Sequence, residues 1–332
     1  MALFLKGSDL LSLADLDAGA LDELLRFARE LKRRSRCGEE LALLTGVQLF
    51  LFDPERILPA WDPFGLAVSR LGGAARRVGP EELKLVWGES YLDLFQQIDR
   101  LGDGLAMASI REDEGHGFMA DTAGLMQRPV FNMLSEREAP FQALASLLTL
   151  SERFGEEWRE KRYAIVWAPP GMSAKPVSPP LTLARALLAG GAELALACPP
   201  AFGPGGEGAA SAGRLRLLDD PDEAVDGADA VFSLNWGPVG ARDDLERAGE
   251  AARDHAAWMM TQARLARAAP EALIGGGMPQ TRDAEIEPAL LEHPRSIHLD
   301  ESENLLHAAK AVFALTLDLE RALPKDDDTT IQ

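Results

Sequence analysis

The chain has 332 residues, 46% of them apolar, enough for about two domains with substantial cores. Acidic residues outnumber basic ones 53 to 34, a net charge of −19, which argues against nucleic acid or an anionic membrane surface as partner. No apolar run reaches the roughly 18 residues of a membrane span, and charged residues recur through the first 30 positions, so a cytoplasmic protein is expected.

Residues 8–35 read as two helical pieces. Asp15 or Asp17 caps the second, and Leu21, Leu24, Leu25, Phe27 and Leu31 form an apolar stripe at helical spacing. Cys37 and Cys198 have no metal-type spacing and read as buried thiols in a reducing compartment; no cofactor and no metal are expected. A buried strand is predicted over 41–52, a helix over 64–73, a short strand over 83–86 and a helix over 90–101. Strand 105–110 runs into a polar loop, 111–117. Helix 118–126, strand 129–133 and a long amphipathic helix, 140–155, follow. This alternation predicts a parallel sheet covered on both faces.

A second round begins with strand 163–167 and a loop over 169–180 that holds five prolines. Helix 181–190, strand 193–198, a Gly- and Ala-rich surface loop over 203–213, helix 221–227 and strand 230–234 come next. Helices 242–252 and 258–267 precede strand 272–274, which enters Gly275-Gly276-Gly277. A short strand over 297–299 and a closing helix over 301–323 end the pattern. The fold class is therefore α/β, with two doubly wound parallel-sheet domains joined by helices. The first spans 1–150 with the closing helix packing back on it, the second 151–300, and 324–332 is a polar, acidic tail expected to be disordered.

Two long motifs carry a family resemblance. Asn132-Met133-Leu134-Ser135, followed by Pro140-Phe141-Gln142-Ala143-Leu144-Ala145-Ser146-Leu147-Leu148-Thr149-Leu150, resembles N-A-L-[ST]…H-P-x-Q-A-L-A-D-L-x-T-I of the aspartate/ornithine carbamoyltransferases. Asp300-Glu301-Ser302-Glu303-Asn304-Leu305-Leu306-His307-Ala308-Ala309-Lys310-Ala311 resembles their closing-helix signature D-E-A-E-N-R-x-H-A-Q-K-A. The resemblance covers about residues 8–323. Ile165-Val166-Trp167-Ala168-Pro169, the proline-rich loop after it and Asn235-Trp236 are most similar to the N-acetylornithine and N-succinylornithine transcarbamylases. The resemblance implies a carbamoyl-phosphate domain and an acceptor domain, a trimer with sites at subunit interfaces, and a role in arginine biosynthesis. It also implies a deep trefoil knot near 165–260, against the general rule that chains do not thread.

Carbamoyl transfer needs cations and helix N-terminal amides on phosphate, preorganised donors on the carbonyl oxygen, and positioning of the amine. Residues 49–73 keep the strand–loop–helix frame of the family's phosphate corner. In place of its Ser-x-Arg-Thr-Arg loop stand Glu55, Ile57, Leu58, Pro59 and Trp61, and Arg56 is the only cation within 49–69. Pro59 also removes an amide donor. The family histidine before Pro-x-Gln is Ala139 here, its cysteine is Gly277, and its closing-helix arginine is Leu305.

Arg111 and Gln142 match surviving catalytic positions, although they also fit a solvated loop arginine and a helix-cap partner. Asn235, Trp236, Met278 and Arg282 are candidates on the acceptor side. Trp87, in Trp87-Gly88-Glu89-Ser90, stands where the family reaches into a neighbouring subunit, as a pocket wall or an interface filler. Asp113-Glu114-Gly115-His116 reads as a solvated loop, and His307 as a packing residue. The triple glycine reads equally as a ligand cradle or a slack loop.

Losing one oxyanion-type donor costs about 3 kcal/mol. The expectation is an atypical or catalytically inactive member, acting as a ligand-binding or partner subunit for a small amino-acid-like ligand. It would form a homotrimer or a mixed trimer with an active paralogue. The alternative is an active carbamoyltransferase acting on N-acetylornithine or a related amino acid.

Overall fold

The computed structural model describes residues 7–79, 90–110, 114–171, 174–203, 213–237, 250 and 253–317. The expected strand at 83–86, nearly all of helix 242–252, most of loop 203–213 and the tail lie outside the described residues. The chain divides into two compact units. One comprises Met1–Ser109, Gly117–Met133 and Leu306–Gln332, the other Ile110–His116 and Leu134–Leu305. The long helix expected over 140–155 thus falls in the second unit, although the reading by domains ended the first at 150.

The first unit is built on α1 (Ala18–Arg36), β1 (Gln48–Phe52), α2 (Pro63–Arg70), β2 (Ala74–Val78), α3 (Tyr91–Leu101), β3 (Gly104–Ser109), α4 (Gly115–Leu125) and β4 (Val130–Ser135). α1 begins where Asp17 Oδ1 accepts the Ala20 amide at 2.8 Å, and it buries Leu24, Leu25, Phe27 and Leu31. The strands lie in the order β2-β1-β3-β4, with β1 parallel to both neighbours. Every residue of β3 and β4 is buried, as a parallel sheet covered on both faces requires. Phe52, Phe95, Ile98, Met107 and Met119 fill the layer beneath α3 and α4. Each such side chain contributes about 1.5–3 kcal/mol of burial.

The second unit contains α5 (Pro140–Phe154), β5 (Arg162–Trp167), α6 (Ser178–Gly190), β6 (Glu193–Ala197), β7 (Leu215–Leu218), α7 (Pro221–Val225) and β8 (Ala230–Leu234). α8 (Gln262–Leu265), β9 (Leu273–Gly275), α9 (Pro288–Leu291) and the start of α10 (His298–Leu317) complete it. Its strands are parallel throughout, in the order β7-β6-β5-β8-β9.

Several expectations differ from this structure. The strand predicted from 41 starts at Gln48, because a turn with Gly46 at φ 86° precedes it. β2 and β7 were not anticipated. Both are short edge strands, and β2 exposes four of its five residues, so no apolar run marks it. The helix expected over 258–267 is a single turn at 256–258, then α8, capped by Thr261; between them Met260 bridges to Ile286. No strand forms at 297–299, since the closing helix already starts at His298 and only Ser296 bridges to Ile274. Cys37 is exposed at the C-cap of α1, not buried. Cys198 is buried, and burial pushes its thiol up to about 11. The expected knot turns on the path of residues 238–249 and 251–252, which lie outside the described residues. Among the described residues no helix is long and apolar enough to cross a membrane.

Candidate functional site

Open parallel sheets bind ligands beyond the carboxyl ends of their strands, where the connections part in opposite directions. In the first sheet that point lies between β1 and β3, in the second between β5 and β8. Each unit therefore offers one candidate site.

In the first unit the loop after β1 begins at Asp53, which is 7% exposed. Its two carboxylate oxygens accept the amides of Ile57 at 3.0 Å and Leu58 at 3.3 Å. Asp62, at φ 49°, accepts the Gly65 amide at 3.0 Å and so caps α2, whose next residue, Pro63, has no N–H. Arg77, on the unanticipated strand β2, sits 3.5 Å from Asp53 and 3.1 Å from Asp62. At the end of β3, Ser109 Oγ donates to Glu55 at 3.2 Å. The carbonyl of Pro59 accepts the Asp62 amide at 3.0 Å, and Trp61 is 44% exposed. The amides of Ile57, Leu58 and Gly65 and the Arg77 guanidinium are thus engaged by carboxylates of the chain itself, while the Arg56 and Asp62 amides donate to backbone carbonyls. The sequence reading missed both Arg77 and the inward role of Asp53, because the contact joins two strands across the sheet.

In the second unit, loop 275–281 leaves β9. Glu301 Oε2 accepts the amides of Gly276 at 3.0 Å and Gly277 at 2.9 Å, while Ser146 Oγ donates to Oε1 at 2.5 Å. Burial holds the Glu301 carboxyl above the usual range, and these three donors oppose the shift. Gln280 Nε2 donates to the carbonyls of Ser233, Gly276 and Gly277 at 3.0–3.1 Å. Thr281 donates through its amide and hydroxyl to Glu285 Oε1. Lys175 Nζ, from the proline-rich loop, donates to Glu285 Oε2 at 2.8 Å and to the Pro279 carbonyl at 2.6 Å. The glycine run is therefore clamped rather than slack. A Cβ on Gly276 would lie 2.1 Å from the Ser233 carbonyl oxygen, whereas one on Gly277 would meet nothing within 4 Å.

The other candidates fall in different places. Asn235 is 1% exposed; its Oδ1 accepts the Lys175 amide at 2.9 Å. Asn235 Nδ2, Gln280 Oε1, Gln142 Oε1 and His298 Nε2 have no partner among the described residues. Burial, with the charge of Lys175 adding to it, pulls His298 down to about 4. Trp236 is fully buried: its indole donates to the Phe202 carbonyl, and its own carbonyl accepts from Trp167. It is a core pillar with no face left for a ligand. Met278 is 44% exposed.

Arg282 faces exposed Glu292 at 3.5 Å, away from the clamp. Ala139 is buried; its amide donates to Thr182 Oγ1 at 3.0 Å, which in turn donates to Glu138. Leu305 is buried in α10. His116, expected in a solvated loop, instead heads α4: its amide donates to Glu136, and Nδ1 lies 3.1 Å from Ser135 Oγ. Trp87, Arg111 and Asp113 lie outside the described residues. The second-unit loop can supply hydrogen bonds and a close backbone approach at Gly277, but Gly275–Gly277 bears no nucleophile.

Residues 8–152 match the family description of the aspartate/ornithine carbamoyltransferase carbamoyl-P binding domain, and 181–316 that of the Asp/Orn binding domain. The ornithine carbamoyltransferase of Methanoculleus marisnigri is 32% identical over 309 residues, covering 92% of this chain and 95% of the relative. The solved ornithine carbamoyltransferase of Pyrococcus furiosus has a TM-score of 0.80 at 27% identity, covering 94% of this chain and 98% of its own. Acetylornithine transcarbamylase complexed with acetylcitrulline reaches 0.83 at 22% identity, covering 93% and 99%, a likeness of fold. With both domains matched and both sheets in transcarbamylase topology, the chain belongs to the aspartate/ornithine carbamoyltransferase family.

Proposed function

We propose that this protein is a ligand-binding member of the family that does not take carbamoyl phosphate as a donor. The observation that carries this reading is the self-satisfied loop of the first unit: Asp53 and Asp62 already accept the amides that a phosphate would need. Displacing them would cost about 1.5–3 kcal/mol for each charge-assisted bond. An incoming dianion would also be repelled by both carboxylates, most strongly by the buried Asp53. Ala139, which offers only a methyl group, removes a further oxyanion-type donor. Calorimetric titration with carbamoyl phosphate should give no heat up to millimolar ligand, and micromolar binding would overturn the reading. N-acetylornithine and ornithine, titrated alone, should bind, because the clamped loop of the second unit keeps Asn235, Lys175 and Gly277 in a fixed arrangement.

A second reading is carbamoyl transfer to ornithine, the activity named for the 32% identical relative, or to N-acetylornithine, the acceptor implied by the resemblance in Trp167, Asn235 and Trp236. It requires citrulline or N-acetylcitrulline to form when donor and acceptor are mixed. We extend the proposal to assembly as a homotrimer, or a mixed trimer with an active paralogue, which light scattering and co-purification would test.

A further inference from the structure

The layer of α3 and α4 in the first unit carries a groove of about 580 Å³ whose lining includes Leu92, Phe95, Asp99, Arg100, Leu125 and Arg128. Arg100 stands just before Gly104, where β3 starts, and Arg128 just before Val130, where β4 starts. The groove therefore lies at the amino ends of these strands. The loop that holds Asp53 and Asp62 leaves the carboxyl end of β1, so the groove is separate from the site described there. Its volume falls within the range of about 300–1,000 Å³ that small-molecule sites occupy.

The floor is fixed. Phe95 is 4% exposed, and its ring lies 5.3 Å from that of Phe52 and 5.7 Å from that of Phe118. Leu92, 45% exposed, and Leu125, 64% exposed, leave apolar surface open beside it. Asp99 is turned onto the backbone, since its Oδ1 accepts the amides of Gln127 at 2.8 Å and Arg128 at 2.9 Å. Neither the Arg100 nor the Arg128 guanidinium has an ion-pair or hydrogen-bond partner among the described residues. In the same unit Arg33, Arg70 and Arg77 all sit on carboxylates. In a chain of net charge −19, two cations left free in one concave site select an anion. Asp99 and the C-terminal ends of α3 and α4 oppose it, the helix ends only within their last turn. That background penalises a second negative charge on the ligand more than the first.

We propose that this groove binds a small organic monocarboxylate with an apolar body, an aryl or alkyl carboxylate. The carboxylate lies between Arg100 and Arg128, whose planar guanidinium groups match it with paired N–H donors. The apolar body lies on Phe95, Leu92 and Leu125, whose surface it removes from water.

Calorimetric titration of the full chain at about 0.05 M salt, where exposed charges are little screened, tests this with three probes. 3-Phenylpropionate should bind with a dissociation constant of about 0.1–1 mM, as a ligand of its size allows. 3-Phenylpropionamide has the same shape without the charge, and phenyl phosphate is a dianion at neutral pH. Both should bind at least about tenfold more weakly. Arg100→Gln and Arg128→Gln change exposed side chains and should each weaken the carboxylate about tenfold. In hydrogen exchange, 3-phenylpropionate should slow the amides of 96–101 and 122–128. No binding at about 10 mM, far above the expected constant, would overturn the proposal. So would equal affinity for carboxylate and amide, unchanged binding in both variants, or protection confined to other segments. Tighter binding of phenyl phosphate would also overturn it and assign the groove to a phosphate ester.

Discussion

Two adjacent glycines differ sharply in what surrounds them. Gly276, at φ 142°, has the Ser233 carbonyl 2.1 Å from where a Cβ would stand, whereas Gly277, at φ 67°, faces open space. Gly276→Ala must displace backbone that Gln280 and Glu301 hold in place, and should lower stability by about 3–4 kcal/mol. Gly277→Ala meets only the left-handed penalty of about 1 kcal/mol. Chemical denaturation of the two variants measures the difference, and equal losses would mean that the loop is not clamped. The sequence alone left this glycine run open between cradle and slack loop. What decides it lies in Gln280, Glu301 and Ser146, and a hydrogen bond across 155 residues leaves no local trace. The same limit hid Arg77, whose partners Asp53 and Asp62 lie on the preceding loop and helix cap.

Helix α10 is unusual in burying four titratable groups, His298, Glu301, His307 and Lys310. Lys310 is satisfied by Glu40 at 2.6 Å and Ser35 at 2.7 Å. His298 is not satisfied in the same way: its charged form would be buried at a helix N-terminus, where the dipole also disfavours a cation. With its pKa reduced from 6.5 to about 4, the unfolded chain binds the proton more readily between those values. The stability due to neutral His298 is therefore complete above about pH 6.5 and lost as pH falls toward 4, about 3 kcal/mol in all. Glu301, raised by burial, works in the opposite sense above its unfolded value of 4.5.

Replacing His298 by Asn isolates the histidine contribution. The variant should lose about 3 kcal/mol less than the parent between pH 6.5 and 4 by urea denaturation, and parallel losses would refute the assignment. At this scale the sequence was most legible where periodicity was long: α1, α3, α5, β3 and β5 lie within a residue or two of their expected bounds. It failed at β2, β7 and the 256–265 turns, whose form depends on pairing to a neighbour rather than on their own pattern.

Over the whole molecule, the excess of 19 negative charges decides how anions act. Many described ion pairs are local, such as Arg33 and Arg34 with Glu30, and such pairs near the surface add little to stability. Salt weakens these but screens the larger self-repulsion, so the melting temperature should rise with ionic strength up to about 0.3 M. A family phosphate site adds a separate, specific effect. With a dissociation constant near 10 μM, about 10 mM inorganic phosphate would stabilise by roughly 4 kcal/mol, because stabilisation follows the ratio of ligand to dissociation constant. A loop that keeps Asp53 and Asp62 on its own amides predicts no such term. Thermal melts in phosphate and in chloride at matched ionic strength should therefore coincide within about a degree, since at this concentration phosphate's general stabilising effect on proteins is small. A rise of several degrees in phosphate alone would show that the first unit still holds an anion, and the reading of its carboxylates as occupants of the family's phosphate corner would fall.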